Sequence, residues 1–224
     1  MNLGTAVLDL IFPPKCPYCR RVLEDPRAPL CPDCQKKLPW LTGRAGERKV
    51  DFTDGCFSPL AYRGAVPDAV RRYKFQPVRA YALPFGELMA QCLQDHLPEG
   101  ADLVTWCPLS KKRLRSRGFD QAQLLARVVG KRRDIPVMGT LAKIRHTVPQ
   151  SELEEESARR ANARGAYVLM PERDLTGKRV VLVDDVVTTG STLAACARTL
   201  MDAGAASVVC AALAGGRPPE EDGT

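Results

Sequence analysis

The stretch "VVLVDDVVTTGSTL", residues 180–193, constrains the fold of this chain more than any other. Four apolar residues read as a buried strand. Two adjacent carboxylates follow, and a short polar run around Gly190 then opens the apolar face of a helix. A strand feeding a helix through such a turn is the building unit of parallel sheets with right-handed crossovers. The alternation recurs. "DLVTWCPLS" reads as a strand, "KKRLRSRG" as a basic loop, and "FDQAQLLARVV" as a helix with Leu124, Leu125, Val128 and Val129 on one face. "AYVLM" and "SVVCAAL" are further strands, and "IPVMGTLAKI" supplies one or two more. Three other segments have helical spacing: "AVPDAVRRYKF", "RAYALPFGELMAQCLQDHL" through Leu83, Leu88, Cys92 and Leu93, and "TLAACARTLMDAG" through Leu193, Ala197, Leu200 and Met201 up to a cap at Gly204. The expected fold class is α/β, a mostly parallel sheet with helices on both faces.

Ligands of such sheets bind beyond the carboxyl ends of the strands, where Asp184 and Asp185 fall. Ionised carboxylates only accept hydrogen bonds, so a neighbouring pair suits the vicinal hydroxyls of a ribose, and it can also help hold a divalent metal through water. The next residues open a helix whose unpaired N–H groups favour an anion. Gly190 lets the backbone approach, and Thr188, Thr189, Ser191 and Thr192 add hydroxyls. Together they describe a pentose phosphate held at both ends. The plain alternative is a buried strand, solvated aspartates and an ordinary N-cap. Neither a Walker lysine nor a G-x-G-x-x-G run is present.

This stretch resembles the phosphoribosyl pyrophosphate (PRPP) signature of type I phosphoribosyltransferases, which implies that fold, PRPP as ligand and Mg²⁺ with it. Pyrophosphate needs cations of its own, and Lys111, Lys112 and Arg113 follow the end of the "DLVTWCP" strand. Charge alone fits a solvated loop or a nucleic-acid backbone contact as well. From "RGFDQAQLLA" through "RHTVPQ", Arg159 and Asn162 to the signature, the order of motifs resembles the ComF family of competence-related, phosphoribosyltransferase-like proteins, over about residues 10–214. Asp120, Ser191 and "KFQP" depart from that family's usual residues, and the last of these puts the turn after Lys74 in question. The resemblance implies a mobile loop over PRPP, here residues 143–163 with Arg145 and Arg159.

Residues 16–34 hold two matched Cys-Pro-x-Cys knuckles, Cys16 with Cys19 and Cys31 with Cys34. Four thiolates at this spacing suit one tetrahedral, structural Zn²⁺, whose binding would supply folding energy to a loop-built module with little core. Two disulfides or a redox pair are the alternatives. Nine cysteines in all, an odd number, argue against a full disulfide framework, and Cys56, Cys92, Cys107, Cys196 and Cys210 sit in apolar or helical contexts as buried thiols. His96 and His146 are isolated.

The 224 residues, 45% hydrophobic, suffice for one main domain with a small appendage. The expected division is an N-terminal helix (Leu3, Val7, Leu10, Ile11) and zinc module over 1–50, a phosphoribosyltransferase-like domain over 51–214, and a disordered tail over 215–224. No apolar run is long enough to span a membrane, and the first residues lack the features of a signal peptide, so a cytoplasmic protein is expected. A formal net charge of +7 favours an anionic partner. Two functions fit: a Mg²⁺-dependent phosphoribosyl transfer to an unknown acceptor, or a non-catalytic PRPP-binding accessory in DNA uptake that contacts single-stranded DNA or a DNA-processing protein. Aromatic residues, 6% of the chain, do not interleave with the basic clusters at 111–117 and 131–133, so stacking platforms for bases look poor.

Overall fold

The computed structural model describes residues 13–76, 78–97, 99–144 and 165–216. The expected N-terminal helix, the segment with Arg145, His146 and Arg159, and nearly all of the expected tail lie outside them. In chain order the strands are β1 (Glu47–Arg48), β2 (Gly55–Phe57), β3 (Leu60–Ala61), β4 (Leu103–Trp106), β5 (Leu141–Lys143), β6 (Tyr167–Leu169), β7 (Arg179–Val187) and β8 (Ser207–Gly215). The helices are α1 (Pro32–Lys37), α2 (Val66–Phe75), α3 (Ala82–His96), α4 (Lys111–Arg117), α5 (Gln121–Arg133) and α6 (Ser191–Asp202).

The main sheet has six strands in the order β1-β2-β8-β7-β4, with β3 also pairing with β8. Every pairing in it is parallel except β1 with β2. Central strands of a covered sheet are apolar on both sides, and β7 and β8 show it. Val181, Val183, Val209, Ala211 and Leu213 enter one core with α2, α3 and α5. Their neighbours Val180, Leu182, Val208, Cys210 and Ala212 enter the other with α6. Each fully buried valine or leucine contributes about 1.5–3 kcal/mol. Helices α3 and α5 approach closely because Gly86 has no side chain; a Cβ there would stand 2.5 Å from that of Val128. Tyr18, Leu23, Leu30 and Leu38 of the cysteine module belong to the first core, so the module is packed onto the sheet domain.

Several expectations change. The basic segment 111–117 is helix α4, not a loop: Ser110 caps it by accepting from the Arg113 N–H at 3.4 Å, and Gly118 ends it at φ 75°. Its residues, charged as they are, form helices well. Leu83 and Met201 face solvent rather than the core, at 53% and 37% exposure. Strands β2 and β3 have no counterpart among the expected elements. Both lie along β8, Gly55 opposite Val209 and Leu60 opposite Ala214, with Ser58 and Pro59 interrupting what would otherwise be one strand. Strand β6 pairs antiparallel with β5 in a separate two-stranded sheet instead of joining the main one.

Candidate functional site

Strand β4 stops pairing with β7 at Trp106 opposite Val183, where the Cys107 N–H donates to the Val183 carbonyl at 3.0 Å. On its other side β7 continues against β8 as far as Val187 opposite Gly215. The acid pair therefore falls inside β7 and not at its end, but just beyond the last β4 partner. There the chain after β4 turns away into α4 and leaves a crevice. Asp184 keeps partial exposure, whereas Asp185 is buried. The Asp185 N–H donates to Asp184 Oδ1 at 2.8 Å. Burial raises the Asp184 carboxyl to about 7, the neighbouring Asp185 charge adds to the rise, and Lys74 opposes it.

Beyond β7, Thr188 is exposed and Thr189 half-buried, while Gly190 stands at φ 80° as the N-cap of α6. That left-handed conformation suits glycine, and a Cβ would meet Val50 Cγ2 at 3.1 Å. Thr189 Oγ1 lies 2.6 Å from Ser191 Oγ and accepts from the Ser191 N–H at 3.4 Å. Thr192 is half-buried in the first turn of α6. The loop thus brings the N-terminus of a twelve-residue helix to the end of the strand that carries the acids, the geometry of an anion cradle.

The residue that sequence reasoning missed is Lys74. Its Nζ lies 2.8 Å from Asp185 Oδ1. Burial disfavours its charge, but the Asp185 carboxylate outweighs this and holds the Lys74 pKa above the ordinary lysine value. A signal was present in the sequence, since Val66, Val70 and Lys74 share one face of α2 and the first two are buried. A lysine on an inward stripe needs an acid. Gln121 then ties three elements together: its carbonyl accepts from Tyr73 Oη at 2.9 Å, its Oε1 accepts from Arg117 Nη1 at 2.9 Å, and its Nε2 donates to the Lys74 carbonyl at 3.4 Å. Asp120 caps α5, accepting from the Leu109 and Gln123 N–H groups at 2.9 and 3.3 Å, and burial raises its pKa in spite of them.

The basic cluster divides by helical phase. Lys111 and Lys112 are exposed, whereas Arg113 and Arg117, four apart on α4, are half-buried. Burial lowers the Arg117 pKa and Arg113 reinforces this, while Asp185 acts in the opposite sense. Lys143, another cation the sequence did not single out, donates from Nζ to Tyr167 Oη at 3.1 Å, and burial together with Arg113 lowers its pKa. The described residues place Asp184, Asp185 and the 188–192 loop along one strand end, with Lys74 against Asp185, while the Arg113 charge is felt by Arg117 and Lys143. Arg145 and Arg159 lie outside them.

The other site is the cysteine module. The sulfurs of Cys16, Cys19, Cys31 and Cys34 all lie within 4.8 Å of one another. A tetrahedral zinc with bonds of about 2.3 Å sets its sulfurs roughly 3.8 Å apart, so the four fit one ion and leave no position for substrate. All nine cysteines are free thiols. Among the described residues no helix is long and apolar enough to cross a membrane.

Two family models match the chain: a phosphoribosyl transferase domain over residues 114–222 and a double zinc ribbon domain over residues 7–48. The second region carries only four cysteines and no histidine, ligands for one ion. Fold, crevice and thiol cluster together define a protein of the type I phosphoribosyltransferase fold with an N-terminal structural zinc module. The chain is 28% identical over 201 residues to Competence protein F of Haemophilus influenzae, covering 80% of this chain and 87% of that protein. It is 32% identical over 216 residues to DNA utilization protein YhgH of Salmonella typhi, covering 86% of each. To Competence protein ComFC of Bacillus subtilis it is 27% identical over 159 residues, 68% of this chain and 60% of that protein. The chain belongs to this ComF family of competence proteins.

Proposed function

We propose that the crevice binds PRPP and transfers its phosphoribosyl group to an acceptor with release of pyrophosphate, in the cytoplasm. The observation that carries this reading is the continuity of Asp184 and Asp185 with the Gly190 turn and the N-terminus of α6. The carboxylates accept from the 2- and 3-hydroxyls of the ribose, and the N–H groups and hydroxyls of residues 188–192 hold the 5-phosphate. Arg113, with Lys111 and Lys112 further out, supplies positive charge for the leaving pyrophosphate. Asp184 and Asp185 would be the residues to hold Mg²⁺, directly or through water, and the ion would supply charge neutralisation for the departing pyrophosphate. The acceptor's lone pair forms the new bond to C1. The C1–O bond breaks with its electron pair going to pyrophosphate, and the acceptor's proton passes to water. Lys74 holds Asp185 in place and keeps the pair from repelling itself.

A second reading, favoured by relatives named for competence and DNA utilization, makes the protein a PRPP-binding accessory in DNA uptake that contacts single-stranded DNA or a processing partner without turnover. One set of measurements separates the two. Calorimetry with Mg²⁺ and PRPP is expected to show binding that Asp184→Asn with Asp185→Asn abolishes; no binding in the unmutated protein would sink both readings. Pyrophosphate release in the presence of acceptors marks the enzyme. PRPP binding with no release across a broad acceptor panel marks the accessory.

A further inference from the structure

The segment after α5 runs along the outer side of β4. Val137 bridges Val104 in parallel: the Val104 N–H donates to the Pro136 carbonyl at 2.8 Å, and the Met138 N–H donates to the Val104 carbonyl at 3.0 Å. Those bonds come from the residues on either side of Val137, so its own N–H and C=O point away from β4. Ile135 and Val137 pack on the first core and Met138 on the second, the alternation of an extended chain. Neither of the two Val137 groups has a hydrogen bond among the described residues, and nor do the Ile135 carbonyl and the Gly139 N–H. Pro136 removes nothing from this row, because its carbonyl, and with it its nitrogen, faces β4. The sheet therefore ends in an unpaired edge whose residues 135–139 carry no charge to blunt it.

An open groove of about 430 Å³ lies beside it, with Ile135, Pro136 and Val137 on one side and Arg127, Lys131 and Asp134 of the α5 end on the other. Gly130 lets the helix come this close, since a Cβ there would stand 2.1 Å from Val137 Cγ2. Arg127 and Lys131 are exposed, and neither has an ion pair or hydrogen bond among the described residues. We infer that this edge receives an extended segment of a partner protein as an added strand, with two acidic side chains, two residues apart, facing α5. A peptide backbone supplies donors and acceptors alike. Phosphates only accept, so a nucleic-acid strand would leave the Ile135 and Val137 carbonyls unanswered. The spacing matches as well: residues one helical turn apart stand about 5–6 Å from each other, and alternate residues of a strand about 6.7 Å. Two cations against the single carboxylate of Asp134 leave the groove positive. Val104 pairs in turn with Val181, so the edge is two strands out from β7 and does not depend on what the crevice binds.

The test is fluorescence anisotropy on the full chain with a labelled seven-residue peptide, glutamate at its third and fifth positions and valine or threonine elsewhere. Binding is expected, and N-methylation walked along the peptide should weaken it about tenfold at alternate residues while sparing those between. That period belongs to a strand, and it is read without altering the protein. Arg127→Glu with Lys131→Glu should weaken the peptide by about tenfold or more and favour a version with lysines in place of its glutamates. Both side chains are exposed, so the melting temperature of this variant should hold. No binding at about 1 mM peptide, an N-methylation response with no alternation, or indifference to charge reversal overturns the inference. An oligothymidine that binds through Arg127 and Lys131 where the peptide does not would assign the cations to nucleic acid, and overturns it too. A dimer of the protein alone, seen in sedimentation and dissolved by the charge reversal, would give the edge to a second copy and overturn the partner.

Discussion

Lys74 Nζ and Asp185 Oδ1 lie 2.8 Å apart, joining a helix near the start of the sheet domain to the acid pair on a strand far along the chain. Both side chains are largely shielded, at 24% and 11% exposure. Removing one partner of such a pair strands the other, which costs more than the pair itself contributes. Lys74→Met is therefore expected to lower unfolding free energy by about 3 kcal/mol, the lower end of the range for buried pairs. Lys74→Arg should keep most of the stability by retaining the charge. Urea denaturation of the three proteins reads the difference, and equal stabilities would show that the pair does not form in solution.

Asp184 carries the pH dependence. Its carboxyl, raised to about 7 first by burial and then by Asp185, binds its proton more tightly folded than unfolded. The stability it contributes is complete below the ordinary carboxylate value and is lost as pH rises through about 7. Asp184→Asn removes that loss, so the variant should gain on the parent between about pH 4 and 7, by roughly 2 kcal/mol. That is less than the full equivalent of the displacement, because the side chain keeps some contact with water. Ligand binding runs the other way. Affinity for Mg²⁺ with PRPP should rise over the same interval in the parent, as the carboxylate ionises. Stability curves that stay parallel across this range would contradict the assignment.

Half of this crevice was legible in the sequence. Asp184, Asp185 and the Gly190 turn are contiguous, so strand, acids and helix start are read in a single pass. Lys74, Gln121 and Lys143 reach the same place from three other elements, and no local pattern announces a partner that only the sheet order brings near. The basic helix α4 was hidden for a different reason: with Leu114 its only apolar residue, it has no periodic stripe to reveal it. Strands β2 and β3 were hidden by brevity, three and two residues on either side of a proline-containing break, too short to show a period.

The cysteine module should be felt at the crevice through α2. Arg72 Nη2 donates to the carbonyls of Pro17 and Tyr18, inside the first knuckle, at 2.8 and 3.0 Å. The Tyr18 ring lies 5.7 Å from that of Phe85, which in turn meets Tyr73 edge-on at 5.5 Å. Two residues after Arg72, Lys74 holds Asp185. Arg72→Ala is expected to cost about 2 kcal/mol, the scale of hydrogen bonds from a charged donor, while keeping one zinc per chain by elemental analysis. Cys16→Ser should lose the metal and weaken PRPP binding as well, because the knuckle no longer braces α2. Unchanged PRPP affinity after metal loss would separate the two sites.

Gly190 offers the sharpest separation of ligand binding from folding. At φ 80° an alanine is strained, and its Cβ would stand 3.1 Å from Val50 Cγ2. A left-handed non-glycine residue costs about 1–2 kcal/mol, which a domain of this size withstands. The cradle does not withstand it, because the loop must shift to relieve Val50, and the N–H groups at the start of α6 shift with it. Gly190→Ala should therefore remain folded with a modest fall in melting temperature, yet lose most of its PRPP affinity in calorimetry. Adding Val50→Ala removes the contact but leaves the backbone strain, so the double variant should recover only part of the affinity. Full recovery would assign the whole effect to Val50, and undiminished binding in the single variant would remove the 188–192 loop from the phosphate site.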